Sequence, residues 1–387
     1  MKLWEKNYKL DEKIEKYTVG NDYIIDQKLV KYDCIASIAH AKMLEKISII
    51  SKTESENIQK ELKNIIKLNK NGKFQIKLEG EDCHTAIENY LIEKLGDTGK
   101  KIHTARSRND QVLTALRLYY KDEIKQIENS VQNLMKSISN FKEKYGYIDL
   151  PGYTHMRKAM PSSIFLWCDA FIESMHDNGE LLNLIYKQID KSPLGTAAGY
   201  GIPLKIDRKL TADLLGFEKI QENPLYVQNS RGKFESLILE GLSQIMFDLN
   251  KISSDILLFS MSEFGFFQLS SKICTGSSIM PHKKNPDVLE ITRANYHKLI
   301  SYESEIKNIA SNLISGYHRD LQLTKEPMIK GFDLVKGSLD IMAIVFENLT
   351  MNQDKCKKAM TEELFSTKNI YKSVEKGFPF REAYKKY

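Results

Sequence analysis

An all-helical chain built around a bundle of long helices is what the sequence predicts, and three observations carry that expectation. All nine prolines lie at or beyond Pro151, so the first 150 residues lack the residue that most reliably interrupts a helix. Three segments repeat apolar residues at alternating spacings of four and three. No apolar run approaches the length needed to cross a bilayer, so the long helices belong to a packed core.

The first helix with both ends marked opens at Ser51, which with Glu54 reads as a capping box, and closes at Asn71-Gly72, where the chain tolerates a left-handed turn. Between Asp110 and Gly146, Tyr120, Ile124, Ile127, Val131, Leu134, Ile138 and Phe141 fall on one helical face. Ile238, Leu242, Ile245, Leu249, Ile252, Ile256 and Phe259 repeat the rhythm between Lys233 and Met261, and Leu299, Tyr302, Ile306, Ile309 and Leu313 do so after Val288. Matching seams of this length imply a bundle and often extend into subunit contacts. These residues carry architecture, not chemistry. There is no repeat, low-complexity segment or Pro/Gly-rich linker, so domain boundaries rest on the loops around Gly96 to His103 and on a change of composition after about Glu347. The expected division is an N-terminal helical domain at 1–105, a central bundle at 106–350 and a short C-terminal remnant at 351–387.

Composition narrows the function classes. The 57 Lys+Arg and 51 Asp+Glu are intermixed and the net charge is only +6, without the basic stripe and interleaved aromatics of a nucleic-acid binder. A small anionic substrate fits better than a polymer, and neither nucleic acid nor membrane is expected as a partner. Five scattered cysteines, odd in number and without metal-type spacing, point to free thiols in a reducing compartment. The opening MKLWEKNYKLDEKIEKY lacks the apolar stretch of a secretory leader. A cytoplasmic location is expected.

The stretch Thr275 to Asp287, TGSSIMPHKKNPD, joins two strongly helical regions. Its hydroxyls beside a glycine, with Lys283 and Asn285, could hold a carboxylate, although an interhelical turn would use many of the same residues. GSSIMPHKKNPD resembles the signature loop of the fumarase/aspartase superfamily. His103 to Gln111 (HTARSRNDQ) and Pro151 to His155 (PGYTH) are similar to segments of the argininosuccinate lyase family within it. So are Glu81-Asp82-Cys83-His84, Tyr317 to Gln322 (YHRDLQ) and Pro379 to Ala383. In order, these segments span nearly the whole chain. The resemblance implies a three-domain fumarase/aspartase-like fold around a central bundle. It also implies a homotetramer with sites shared between chains, and cleavage of argininosuccinate to fumarate and arginine without metal or organic cofactor.

It assigns roles residue by residue. Ser277 matches the general base. A neutral serine is too weak to take a proton beside a carboxylate, so Lys283 and loop amides are expected to stabilise its alkoxide or the developing charge. His155 matches a histidine in charge relay with Glu290, which would raise the imidazole pKa and help protonate the leaving nitrogen. Ser107, Arg108 and Asn109 match ligands of the substrate carboxylates, and Arg108 is expected to have no partner in the empty protein. Thr154, Asn285, Tyr317, Gln322, Lys325 and His84 match further binding positions, with Asp22 and Asp26 as candidates for the guanidinium or amino-acid end. The bland readings are a structural histidine and solvated surface charges.

Departures from the pattern are Ala105 where glycine is usual, Arg157 where glutamine is usual, Arg231-Gly232-Lys233 in a more acidic region, and an end at Tyr387 where relatives typically continue. The HTARSRNDQ and YHRDLQ segments argue against an adenylosuccinate lyase-like enzyme. The joint presence of Ser277, His155, Lys283 and Glu290 argues against a non-catalytic, crystallin-like homologue or a bare helical scaffold.

Overall fold

The computed structural model describes residues 10–386; residues 1–9, which open the segment read above for a secretory leader, lie outside it. Five helices of 23 to 38 residues dominate: Arg108–Tyr145, Ile164–Ile189, Lys233–Ser260, Asp287–Ala310 and Lys325–Glu347. With 69% of the chain helical and, among the described residues, strands only in two-stranded pairs, the fold is all-α. None of the described helices is long and apolar enough to cross a membrane.

The expected seams are buried. Every named residue of the first two faces, from Tyr120 to Phe141 and from Ile238 to Phe259, is in the core. The third face is narrower, with Leu299 and Ile306 buried and Tyr302, Ile309 and Leu313 only half-buried, and its helix stops at Ala310 before the left-handed Asn312. The capping box at Ser51 forms in both directions, Glu54 N to Ser51 Oγ at 3.2 Å and Ser51 N to Glu54 Oε2 at 2.8 Å, and its helix ends at Lys70. The helices Ile164–Ile189 and Lys325–Glu347 have no seam assigned from sequence. In the latter, Pro327 sits in the first turn, where a missing N–H breaks no helical bond.

The chain divides into two compact units, each assembled from separated stretches. Among the described residues, one comprises 10–126, 183–240 and 301–332; the other comprises 127–182, 241–300 and 333–386. In the first, Tyr119 packs edge-on against Phe332 and Tyr32, with ring centroids 5.8 and 5.6 Å apart. In the second, Trp167 packs against Phe267 with tilted rings 5.2 Å apart and donates its indole N–H to Asp255 at 2.9 Å, satisfying the polar end of a large apolar group.

Two short irregularities place chemistry-bearing residues. Asp149–Thr154 and Arg157–Ser163 form an antiparallel hairpin in which Thr154 pairs with Arg157, leaving a two-residue turn at His155-Met156. Both turn residues have positive φ, 53° and 59°, the requirement of a type I′ turn that glycine or asparagine ordinarily meets. Ala105 is the other case. Its φ of 63° explains why glycine suits this position and makes the extra methyl a source of strain, not a neutral addition. Ala105→Gly is expected to leave stability unchanged or raise it by up to about 1 kcal/mol, whereas the same change inside a helix costs about that much. Urea unfolding midpoints decide it, and a loss of about 1 kcal/mol would contradict the strain.

Candidate active site

The His103 to Gln111 segment is held by its own side chains. Ser107 precedes the 38-residue helix and caps it: Asn109 N reaches Ser107 Oγ at 3.3 Å while Ser107 N donates to Asp110 Oδ1 at 2.9 Å. Asp110 is fully buried, and its other oxygen accepts Gly195 N and Ala197 N, both at 2.9 Å. Burial pushes its carboxyl up, against the pull of those amides. Asp110 therefore ties the start of the helix to the 195–197 loop. This leaves Arg108 and Asn109 on the first turn, facing a cavity of about 110 Å³.

That cavity, within the first unit, gathers seven of the sequence-assigned binding residues: Asp22, His84, Arg108, Asn109, Tyr317, Gln322 and Lys325. Asp26 lies directly behind it. Lys325 Nζ is 2.8 Å from Asp22 Oδ2 and 2.7 Å from Asp26 Oδ1. Burial alone would lower the Lys325 ammonium, but Asp26 and Asp22 outweigh it and hold it above its usual value. Burial pushes Asp22 up to about 6 despite the lysine.

His84 is buried with its Nδ1 3.1 Å from Asp33 Oδ2. Burial would lower the imidazole, and the charge and hydrogen bond of Asp33 reverse that, so its pKa is raised. Gln111 Nε2 donates to both Asp33 oxygens at 2.9 and 3.1 Å, fixing the carboxylate that fixes the histidine. Asp26, Cys83 and His84 offer ligand atoms within 4.8 Å of one another, but the Lys325 ammonium on Asp26 already occupies the place a metal's charge would take.

Arg108 differs from its expectation. Its guanidinium has partners in the empty protein: Glu81 at 3.2 Å, Asp82 at 3.4 Å and Thr85 Oγ1 at 2.5 Å. A half-buried fork this close to two carboxylates is oriented by them before any ligand arrives.

The remaining candidates belong to the second unit. Thr275–Gly276 pairs antiparallel with Lys284–Asn285, so residues 277–283 form a closed loop, with Asn285 Nδ2 donating to Gly276 O at 3.2 Å. Ser277, at the head of the loop, accepts on its Oγ from Met280 N at 3.2 Å and Ile279 N at 3.4 Å, and Lys283 N closes onto Met280 O at 3.0 Å. Lys283 is exposed, and Ile279 at the tip is 83% exposed. Glu290, on the first turn of Asp287–Ala310, lines an open cleft of about 1070 Å³ with Lys284 and Arg293. Thr154 and His155 lie exposed at the hairpin end, and among the described residues no ion pair joins His155 to Glu290 within the chain.

Several residues of this arrangement have no role assigned from sequence. Asp82 and Arg319 line the cavity and Gln111 orients Asp33, and all three sit inside the matched segments. Asp33 carries a weaker signal: Asp33, Ser37 and His40 recur at helical spacing and are all buried, a polar stripe on the inner face of Val30–Lys46. Arg231 gives no such signal.

A family model described as lyase matches residues 5–300. Class II fumarase from Schistosoma mansoni superposes with a TM-score of 0.80 over 95% of this chain and 90% of its own, at 16% identity, which establishes the shared fold. The family model defines a lyase, and the chain's fold is the one class II fumarase has. Argininosuccinate lyase of Thermotoga neapolitana is 53% identical over 99% of this chain and 96% of its own, and that of Phocaeicola vulgatus 42% over 100% and 86%. The chain belongs to the argininosuccinate lyase family.

Proposed function

We propose that this enzyme cleaves L-argininosuccinate to fumarate and L-arginine by β-elimination, with Ser277 as the general base. One observation carries the assignment: the Ser277 Oγ receives two backbone N–H groups of its own loop. Donors already aimed at an oxygen favour its ionised form, and they need no rearrangement when charge develops. Ser277 takes the proton next to the substrate carboxylate, the carbon–carbon double bond forms, the C–N bond breaks, and the leaving nitrogen gains a proton with the help of His155. Lys283 and Asn285 steady the negative charge that builds on the carboxylate. Ser107, Arg108, Asn109, Thr154, Tyr317, Gln322, Lys325 and His84 bind substrate, and Asp22 faces its cationic end while Asp26, behind it, serves that end by holding Lys325. No metal or organic cofactor is required by this chemistry. The three-domain division at 1–105, 106–350 and 351–387 and a cytoplasmic location belong to the same reading.

The absorbance of fumarate after addition of argininosuccinate tests the activity, and adenylosuccinate serves as the competing substrate. Turnover of the latter alone would refute it.

The partnership of His155 with Glu290 is assigned to neighbouring subunits of a homotetramer, with each site drawing on three chains. A long helix of about 25 residues spans nearly 40 Å, so side-by-side subunits bring distant groups together readily, and closed symmetry repeats the composite site. Ser277→Ala and His155→Asn proteins, each inactive, are expected to regain part of the parent activity when refolded together. No recovery after verified subunit exchange would sink the shared site.

A further inference from the structure

Two of the cations lining the first unit's cavity are almost fully buried, Lys325 and Arg231. Lys325 has two carboxylates. Arg231, 5% exposed, has none within ion-pair distance among the described residues. Its Nη2 makes one long hydrogen bond to Leu321 O at 3.4 Å, its Cζ lies 4.9 Å from the centre of the Tyr317 ring, and Nε and Nη1 meet no acceptor. Glu235 feels the charge of Arg231, but its carboxylate is engaged by Gly232 N at 2.7 Å and burial raises its own pKa.

The backbone holds this arrangement in place. Arg231 N donates to Gln228 O at 3.1 Å, and the next residue, Gly232, has a φ of 77° and lies where a Cβ would meet Ala310 Cβ at 2.3 Å. Only glycine fits beside Ala310 at this left-handed position, so the turn that presents Arg231 depends on Gly232. A buried guanidinium with unused donors is unfavourable by itself, because it has lost water without gaining an anion. The cavity it lines is the place where an anion would restore the balance. Of the two other guanidiniums that line the cavity, Arg108 is already shared among Glu81, Asp82 and Thr85, and Arg319 is exposed and donates to Thr18 O at 3.1 Å.

We propose that Arg231 is a specificity-determining residue that draws a carboxylate of the substrate into this cavity. Stacked on Tyr317 and shielded from water, its charge acts on a bound carboxylate through protein, where screening is weak. The inference rests on the lyase reading for the identity of the ligand, so its test uses binding as well as turnover.

Calorimetric titration of the full-length protein with fumarate and succinate, for the parent, Arg231→Met and Arg231→Lys, reads it directly. Arg231→Met is expected to weaken both dicarboxylates about 10-fold or more, with Arg231→Lys recovering part of the loss, and to raise KM for argininosuccinate similarly while kcat changes less than about threefold. Unchanged dicarboxylate affinity in folded Arg231→Met protein overturns the proposal. So does a fall in kcat alone, which would assign Arg231 to holding Tyr317. Should Arg231→Met not fold, Arg231→Gln replaces it, and equal affinities for Arg231→Gln and Arg231→Lys overturn it. A parent protein that binds both dicarboxylates yet fails to turn over argininosuccinate would sink the activity reading and leave this one standing.

Discussion

Ser277→Ala is expected to lower kcat by about 10²–10⁴-fold, the usual contribution of a positioned general base, while leaving the unfolding midpoint nearly unchanged. The two halves of that expectation come from the same geometry. The Oγ is bonded only to amides of its own exposed loop, so its removal takes nothing from either core, and surface changes of this kind usually stay within about 0.5 kcal/mol. It is also the one atom on which those amides converge. Steady-state turnover paired with a thermal melt separates the outcomes. A folded mutant working at close to the parent rate removes Ser277 from the role, and a mutant that melts early means the loop is structural.

Lys325→Met is expected to be the most destabilising of these changes, by roughly 3–5 kcal/mol, because deleting one partner of a buried ion pair strands the other. Here it strands two, Asp22 and Asp26, with the ammonium gone from 2.8 and 2.7 Å. The loss should depend on pH in a defined direction. Asp22 titrates at about 6 in the folded protein, above its value of 3.8 in the unfolded chain. An acid raised in this way contributes stability that is fully present below the unfolded pKa and is lost as pH rises through the folded one. Without the lysine the folded value moves higher still, so the deficit should be smaller near pH ~5 than near pH ~8. Urea unfolding at the two values measures it; a deficit independent of pH would mean that packing alone accommodates the substituted methionine and the ion triad contributes little.

The candidate site is legible unevenly. Arg108, Asn109, Tyr317 and Gln322 come from stretches far apart in the chain, yet the matched segments contain all of them, and they line one cavity with Lys325, three residues beyond Gln322. What those segments do not convey is which groups are already engaged. Arg108, expected free, is held by Glu81 and Asp82; Lys325 sits between two aspartates; Asp110, inside the same matched segment, holds a loop. Arg231 stands out only as a departure in charge. A side chain's partners depend on residues tens to hundreds of positions away, and no local pattern records them.

By itself the sequence determined the class of fold and the long seams, because helical periodicity and the placement of proline are local properties that burial then only has to accept. The buried faces Tyr120 to Phe141 and Ile238 to Phe259, and the capping box at Ser51, follow from residues within a few turns of one another. Only the tertiary structure decided the strained turn at His155-Met156, the left-handed Ala105 and the ion triad at Lys325. Positive φ at a non-glycine residue is unfavourable locally and persists only where surrounding contacts hold it. A buried ammonium likewise stays charged only because carboxylates from another segment lie against it, so both features become visible only once the chain has folded.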